Sequence, residues 1–465
     1  MSRHLWTRER QRRANAEVAP PGPPVGDLPV DDGGLLAWIA RQFVAAGARG
    51  WAWRSLAIAS VVSVVVYVLW YATWGGQEVD LGVYLMGASH VTSAQLYSLR
   101  SAHLGLYFTY TPFAAAVFTP LTIFPMRVAE GIWGVVNVVA LVAILYATIR
   151  AIHPAGRRGG ARWTAMLLAG PCLGMEPVLS TLSFGQVNLV LAAFVLVDLT
   201  SIRRFGGPLS RRGVLVGVAA AVKLTPLIFV PWLFLTRQAR AGWTAIWTFL
   251  ACAAVGFAIT PRSSALWWSK DVFKTSRVGG VAFITNQDLR VVIERFHHAL
   301  VSGAGISVLI ALVAVAGLGL AVLAYRRSSE LLGVLVCAVT GLVVSPVTWS
   351  HHLVWVVPVV LWLAVGTDRP RYGPLVAFLA SLLFWIAPID LVPRRHNREL
   401  HLHGLQLVAG DSFFFAMALF LLGMAAMLLW RSRRSHQRAE AGRRRDVLVV
   451  AGIDPSSGGA VPTSA

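Results

Sequence analysis

Apolar runs recur along almost the whole chain, spaced by short polar connectors. Twelve of them read as membrane-spanning helices: 54–74, 128–149, 163–180, 187–201, 213–223, 225–236, 242–260, 305–325, 331–347, 352–366, 373–388 and 412–430. Several fall short of the ~20 residues that cross a bilayer. The pair over 213–236 reads either as two half-helices meeting at a break or as one long span. The stretch 112–126 is apolar but short, bounded by Pro112 and Pro125 and interrupted by Pro120. It is expected as a helix lying on the membrane surface in the first outer loop. The pattern therefore predicts an all-α polytopic membrane protein with about 12 transmembrane helices.

Composition narrows this further. Hydrophobic residues make up 56% of the 465 and charged residues only 13%, about half the charged share of a soluble domain. A soluble globular enzyme, a disulfide-stapled secreted domain and a disordered chain are all excluded. The net charge of +20 could signal nucleic acid, but the Lys and Arg residues cluster between apolar runs, as in cytoplasmic loops. No nucleic-acid partner is expected. Cys172, Cys252 and Cys337 lie far apart inside apolar runs and have no metal or disulfide spacing. Two basic tails, 1–53 with its Pro20–Pro24 run and 431–465 with a Gly/Ser-rich finish, are expected to be disordered and cytoplasmic. Between them, 54–430 is expected as a single membrane domain. The charge asymmetry puts both termini inside and six outer loops near 75–127, 181–186, 224, 261–304, 348–351 and 389–411.

The unusual polar residues collect in those outer loops. Asp80 follows the first span closely, where an apolar wall can raise a carboxylate's pKa and suit it to general-base work; the plainer role is a helix N-cap. Leu106–Phe113 is an aromatic cluster that fits either an interfacial belt or a stacking surface for a sugar or lipid. Gln186 and Asn188 offer both hydrogen-bond roles that sugar hydroxyls need; the plainer role is helix capping and hydrogen bonding between helices. Lys223 stands in an apolar stretch with no acid near it in sequence, a costly arrangement that a phosphate would relieve. The 261–304 loop, with Asn286, Gln287, Arg277, Arg290 and Arg295, is a candidate cover. His351 and His352 follow Trp349 at a span mouth, where one imidazole could hydrogen-bond a phosphate or sugar. No metal site is expected.

These strings resemble glycosyltransferase family 87, membrane enzymes of the GT-C architecture that use polyprenyl-phosphate sugars. The matching segments are Asp80-x-x-x-Tyr84, Phe108–Pro112, Glu176-Pro with Phe184–Asn188, Lys223–Pro226, Asn286-Gln287 and Ser345–His352. Within the family they look most like α-(1→2)-mannosyltransferases of mannolipids. Ser345–His352, Asp198 after the Phe184 core, and Pro388–Pro393 look closer to the enzymes that branch lipomannan and lipoarabinomannan. Phosphatidylinositol-mannoside synthesis and arabinofuranosyl transfer are the alternatives within the family. A polytopic lipid or sugar transporter is the alternative outside it.

The resemblance implies a β-linked polyprenyl-phosphate-mannose donor, a mannolipid acceptor and inversion at the anomeric carbon. It implies Asp80 as the base, with Lys223, His351 and His352 at the donor phosphate. Tyr84, Tyr110, Glu176, Gln186, Asn188, Asn286, Gln287 and Trp349 would hold sugar or acceptor. It implies no cofactor, membrane lipids as surroundings, and a site on the extracytoplasmic side of the cell membrane.

Overall fold

The structure is a computed structural model and describes residues 50–75, 79–101, 104–154, 158–200, 212–298, 303–394 and 398–450. In chain order its α-helices begin with α1 (Trp51–Trp74), α2 (Val79–Ser89), α3 (Pro112–Phe118), α4 (Met126–Ile152), α5 (Arg158–Leu173) and α6 (Glu176–Phe184). Then come α7 (Asn188–Thr200), α8 (Val214–Val222), α9 (Phe229–Leu235), α10 (Ala239–Ile259), α11 (Pro261–Ser269) and α12 (Leu289–His297). The last are α13 (Ala304–Arg327), α14 (Glu330–Val344), α15 (Val356–Val365), α16 (Gly373–Ile386), α17 (Leu405–Gly410) and α18 (Ser412–Val450). No strand forms among the described residues; two isolated bridges pair Arg100 with Tyr107 and Asn286 with Trp349.

Among the described residues, six helices are long and apolar enough to cross a membrane: 51–74, 126–152, 239–259, 304–327, 373–390 and 412–434. The α5–α6 pair, bent by 84°, makes a seventh if it is one broken span. The remaining expected spans fall on helices too short to cross a ~30 Å core alone, so the described residues do not carry the count of twelve. Prolines account for much of the difference. Pro171 near the end of α5 removes a helical N–H, and Pro177 restarts the helix at the beginning of α6. The run expected as one span over 163–180 is thereby split. Over 213–236 the structure has the half-helix arrangement: α8 stops at Lys223, whose backbone is extended, and a 3-10 turn at Thr225–Ile228 leads into α9. The 112–126 stretch is helical, as α3 plus a 3-10 turn.

Two further departures concern the ends of predicted elements. Asp80 was expected in a loop but lies in the first turn of α2. The tail expected over 431–465 is helical as far as Val450, because α18 runs on through Arg- and Ala-rich sequence with high helix propensity. The N-terminal tail up to residue 49, and residues 451–465, lie outside the described residues.

The bundle packs around α4, whose apolar stretch is 61% buried, against 11% for α13. Helix contact depends on small residues, since lipid offers no hydrophobic incentive for helices to associate. At Gly217 a Cβ would stand 2.5 Å from the Ala245 carbonyl and 2.7 Å from Thr248 Cβ. Gly217→Ala should therefore force α8 off α10 and destabilise the protein by ~1–3 kcal/mol. The readout is the thermal midpoint in detergent, with Gly305→Ala as control because nothing lies within 4 Å of its Cβ position. Equal midpoints for the two variants would contradict the packing.

Candidate active site

A cavity of about 230 Å³ opens where the ends of several helices and their connecting segments meet. Each segment reaches it for a local reason. Gly185, in the left-handed region at φ 66°, terminates α6 and turns the chain so that Gln186 faces inward. Thr111 caps α3, accepting from the Ala114 N–H at 3.1 Å, and donates to the Ala221 carbonyl of α8. The break after α8 leaves Lys223 side-on to the cavity instead of inside a helix.

Asp80, Tyr84, Tyr110, Gln186, Lys223, Trp349 and His352 line this cavity. All of them but Trp349 belong, with Asn188, to one hydrogen-bonded relay. Gln186 Oε1 accepts from Tyr84 Oη at 2.8 Å, Tyr110 Oη at 3.2 Å and Asn188 Nδ2 at 3.3 Å. Its amide nitrogen is thereby left to donate to the Asp80 carboxyl. Asn188 Oδ1 accepts from Lys223 Nζ at 3.0 Å, and Lys223 Nζ lies 2.9 Å from His352 Nε2. An ammonium can only donate, so Nε2 accepts and the imidazole proton sits on Nδ1. His352 thus orients Lys223 as well as facing the cavity.

Desolvation is the largest influence on Asp80 and pushes its pKa up to about 6; the Gln186 hydrogen bond and the charge of Lys223 pull the other way. A carboxylate with such a pKa is ionised at neutral pH yet more basic than an ordinary aspartate. Carboxylate and ammonium are linked through two amides, and both line the cavity.

Five expected site residues do not line the cavity; one of them, Asn188, joins it only through its bonds to Gln186 and Lys223. His351 does not line the cavity; its ring is buried edge-on to Phe184, and its carbonyl accepts from Thr181 and Asn188. Neighbouring residues on the short 3-10 helix Ser350–Trp355 point different ways, so only His352 faces in. Glu176 accepts from Ser350 Oγ at 2.7 Å and anchors that same segment from outside the cavity. Asn286 and Gln287 are fully buried, and their amides bond to backbone. Asn286 donates to the Val281 carbonyl and accepts from Thr348 N–H. Gln287 donates to Ile284 and Gly410 carbonyls and accepts from Phe414 N–H. The Asn286 amide fastens the segment carrying Trp349 and the Gln287 amide fastens the start of α18, which leaves none of those atoms for a sugar. Gln287→Ala should cost ~1–3 kcal/mol of stability through the unpaired backbone groups it leaves, read as a lower thermal midpoint; an unchanged midpoint would contradict the fastening role.

The cavity also takes residues that sequence reasoning did not place there: Trp267, Asp271 and Lys274, together with Arg277, which had been read only as part of a cover. They come from the 261–304 segment, and the basic character of that loop was the only sequence signal for them. No group of three His, Cys, Asp or Glu side chains suited to a metal occurs among the described residues.

Comparison with known proteins decides the class. The model of glycosyltransferase family 87 matches residues 108–346. A polyprenol-phosphate-mannose-dependent alpha-(1-2)-phosphatidylinositol mannoside mannosyltransferase of Mycobacterium tuberculosis is 32% identical over 381 residues, 78% of this chain and 87% of the relative. The chain belongs to glycosyltransferase family 87. A second M. tuberculosis relative, a phosphatidylinositol pentamannoside mannosyltransferase with the same donor dependence, is 33% identical over 71% of this chain and 76% of its own length. Its counterpart from Mycolicibacterium smegmatis is 32% identical over 70% and 78%. No solved structure matches. The family match begins after Asp80, so the role of that residue in this family 87 chain rests on the geometry of the cavity.

Proposed function

We propose that this family 87 enzyme transfers mannose from polyprenyl-phosphate-mannose to the 2-hydroxyl of a mannose-bearing lipid, inverting a β-linked donor to an α-(1→2) product. The observation that carries the reading is a raised-pKa carboxylate and a buried ammonium–imidazole pair on one cavity, joined by an amide relay. The relatives' names supply the donor and the linkage.

In this scheme the Asp80 carboxylate accepts the proton of the acceptor hydroxyl as its oxygen attacks the anomeric carbon. The bond from that carbon to the phosphate oxygen breaks, and its electron pair leaves as polyprenyl phosphate. Lys223, held by Asn188 and His352, stabilises the charge growing on the phosphate. Tyr84, Tyr110 and Gln186 hold sugar hydroxyls, and Trp349 offers a face for stacking. Glycosyl transfer of this kind needs one base and no covalent enzyme intermediate.

The cavity faces the extracytoplasmic leaflet and both termini are cytoplasmic in this proposal, which follows the distribution of basic residues. The architecture is GT-C, with α3 lying on the membrane. Mannan branching and phosphatidylinositol mannoside elongation are the two acceptor choices. Motif preference supports the first and the relatives' names the second.

The test incubates purified protein with radiolabelled polyprenyl-phosphate-mannose and each acceptor. Label in the acceptor that is released by an α-mannosidase is the expected result. Label that reaches neither acceptor, or crosses a vesicle bilayer unchanged, overturns transfer in favour of transport.

A further inference from the structure

Besides Lys223 and His352, a second group of cations lines the cavity. The isolated bridge between Arg100 and Tyr107 presents the Tyr107 ring to the cavity. Two guanidinium groups pack against that ring, Arg100 at 4.3 Å and Arg277 at 4.4 Å from its centroid, and Arg100 also donates to Tyr107 Oη at 2.5 Å. Arg277 is fixed further: it donates to the Tyr97 carbonyl and lies 3.6 Å from Asp271. Lys274 Nζ bonds the same carboxylate at 3.0 Å while its side chain stays 52% exposed.

The cluster sets three cations against the single carboxylate of Asp271. An aromatic ring can attract two guanidinium groups but adds no negative charge. The residual positive charge sits where the cavity opens, on side chains held by backbone and ring contacts, so an incoming anion would meet donors already in place. Arg offers two parallel N–H donors to phosphate oxygens, and Lys adds a mobile point charge.

We infer that Arg277 and Lys274, with Arg100 behind Tyr107, form a second anion site that takes the singly charged phosphodiester of a lipid-borne substrate. The inference rests on the proposed transfer reaction, in which the donor's one phosphodiester lies at Lys223, so the substrate that brings a second such group is a phosphatidylinositol-based acceptor. The site is separate from Lys223, which stays bonded to Asn188 and His352.

The experiment measures steady-state kinetics of purified Lys274→Gln, Arg277→Gln and Arg277→Lys with three probes: polyprenyl-phosphate-mannose, neutral octyl α-mannoside and a phosphatidylinositol mannoside. The phosphatidylinositol mannoside KM rises about 10-fold in the Gln variants, while donor KM with the neutral octyl mannoside stays as before. A donor KM that rises with the neutral acceptor overturns the inference. The phosphatidylinositol mannoside KM of the unaltered protein climbs with salt and that slope flattens in the variants. Arg277→Lys, which keeps the charge, recovers part of the loss.

Lys274 contacts only Asp271 in this cluster and is half exposed, so its variant keeps the test valid if Arg277→Gln fails to fold. A phosphatidylinositol mannoside KM within twofold of the unaltered protein in Lys274→Gln, or a fall in kcat alone, overturns the inference. Failure of the transfer reading is distinguishable, since it would leave the unaltered protein without any transfer to compare.

Discussion

Asp80→Asn should reduce mannosyl transfer by ~10²–10⁴-fold, the usual consequence of removing one general base. The substitution keeps the shape of the side chain and its place in the first turn of α2. It leaves a partner for Gln186 but removes the atom that can take a proton. The protein should therefore purify and unfold like the original while product formation collapses. Because the amide is neutral, it also removes the one negative charge that faces Lys223 across the relay, so a modest change in donor KM accompanies the loss of kcat. Activity within threefold of the original would remove Asp80 from the mechanism.

The second large effect is expected at Lys223. Replacing it by Ala deletes the donor that joins Asn188 at 3.0 Å and His352 at 2.9 Å. It also removes a cation from beside the departing phosphate. Losing one preorganised group of this kind costs ~10²–10³-fold in rate. The loss should appear as both a raised donor KM and a lowered kcat, read from initial rates across donor concentration. An unchanged dependence on polyprenyl-phosphate-mannose would assign Lys223 a structural role. Asn188→Ala should show a weaker version of the same pattern, because it positions Lys223 and does not line the main cavity.

Much of this was legible in the sequence because helices and their breaks are local. The apolar runs, the prolines at 171, 177 and 226, and the polar residues stranded among apolar neighbours all left direct marks. Asp80, Gln186, Lys223 and His352 could be singled out because each is costly where it stands. The span count was less legible. Hydropathy measures how apolar a segment is and not how long its helix runs, and the runs around Lys223 and Glu176 are interrupted.

Side-chain direction was the other gap. Glu176, Asn286 and Gln287 share amide or carboxylate chemistry with true cavity residues. Which polar atoms bond to backbone depends on contacts far apart in sequence, such as Gln287 with Gly410 and Phe414. The packing of Arg277 on Tyr107, far away in sequence, leaves no mark on periodicity at all.

The central claim is that one carboxylate, poised by burial, takes the acceptor proton. The most direct measurement is the pH dependence of kcat/KM for the purified enzyme with labelled donor and a mannoside acceptor. Asp80 must be ionised to act, and its pKa is raised to about 6. The rate should fall about tenfold per unit below that pH, with the break displaced in Asp80→Glu. A profile that is flat from pH 7 down through pH 5, or a break that stays put when Asp80 is changed, contradicts the account.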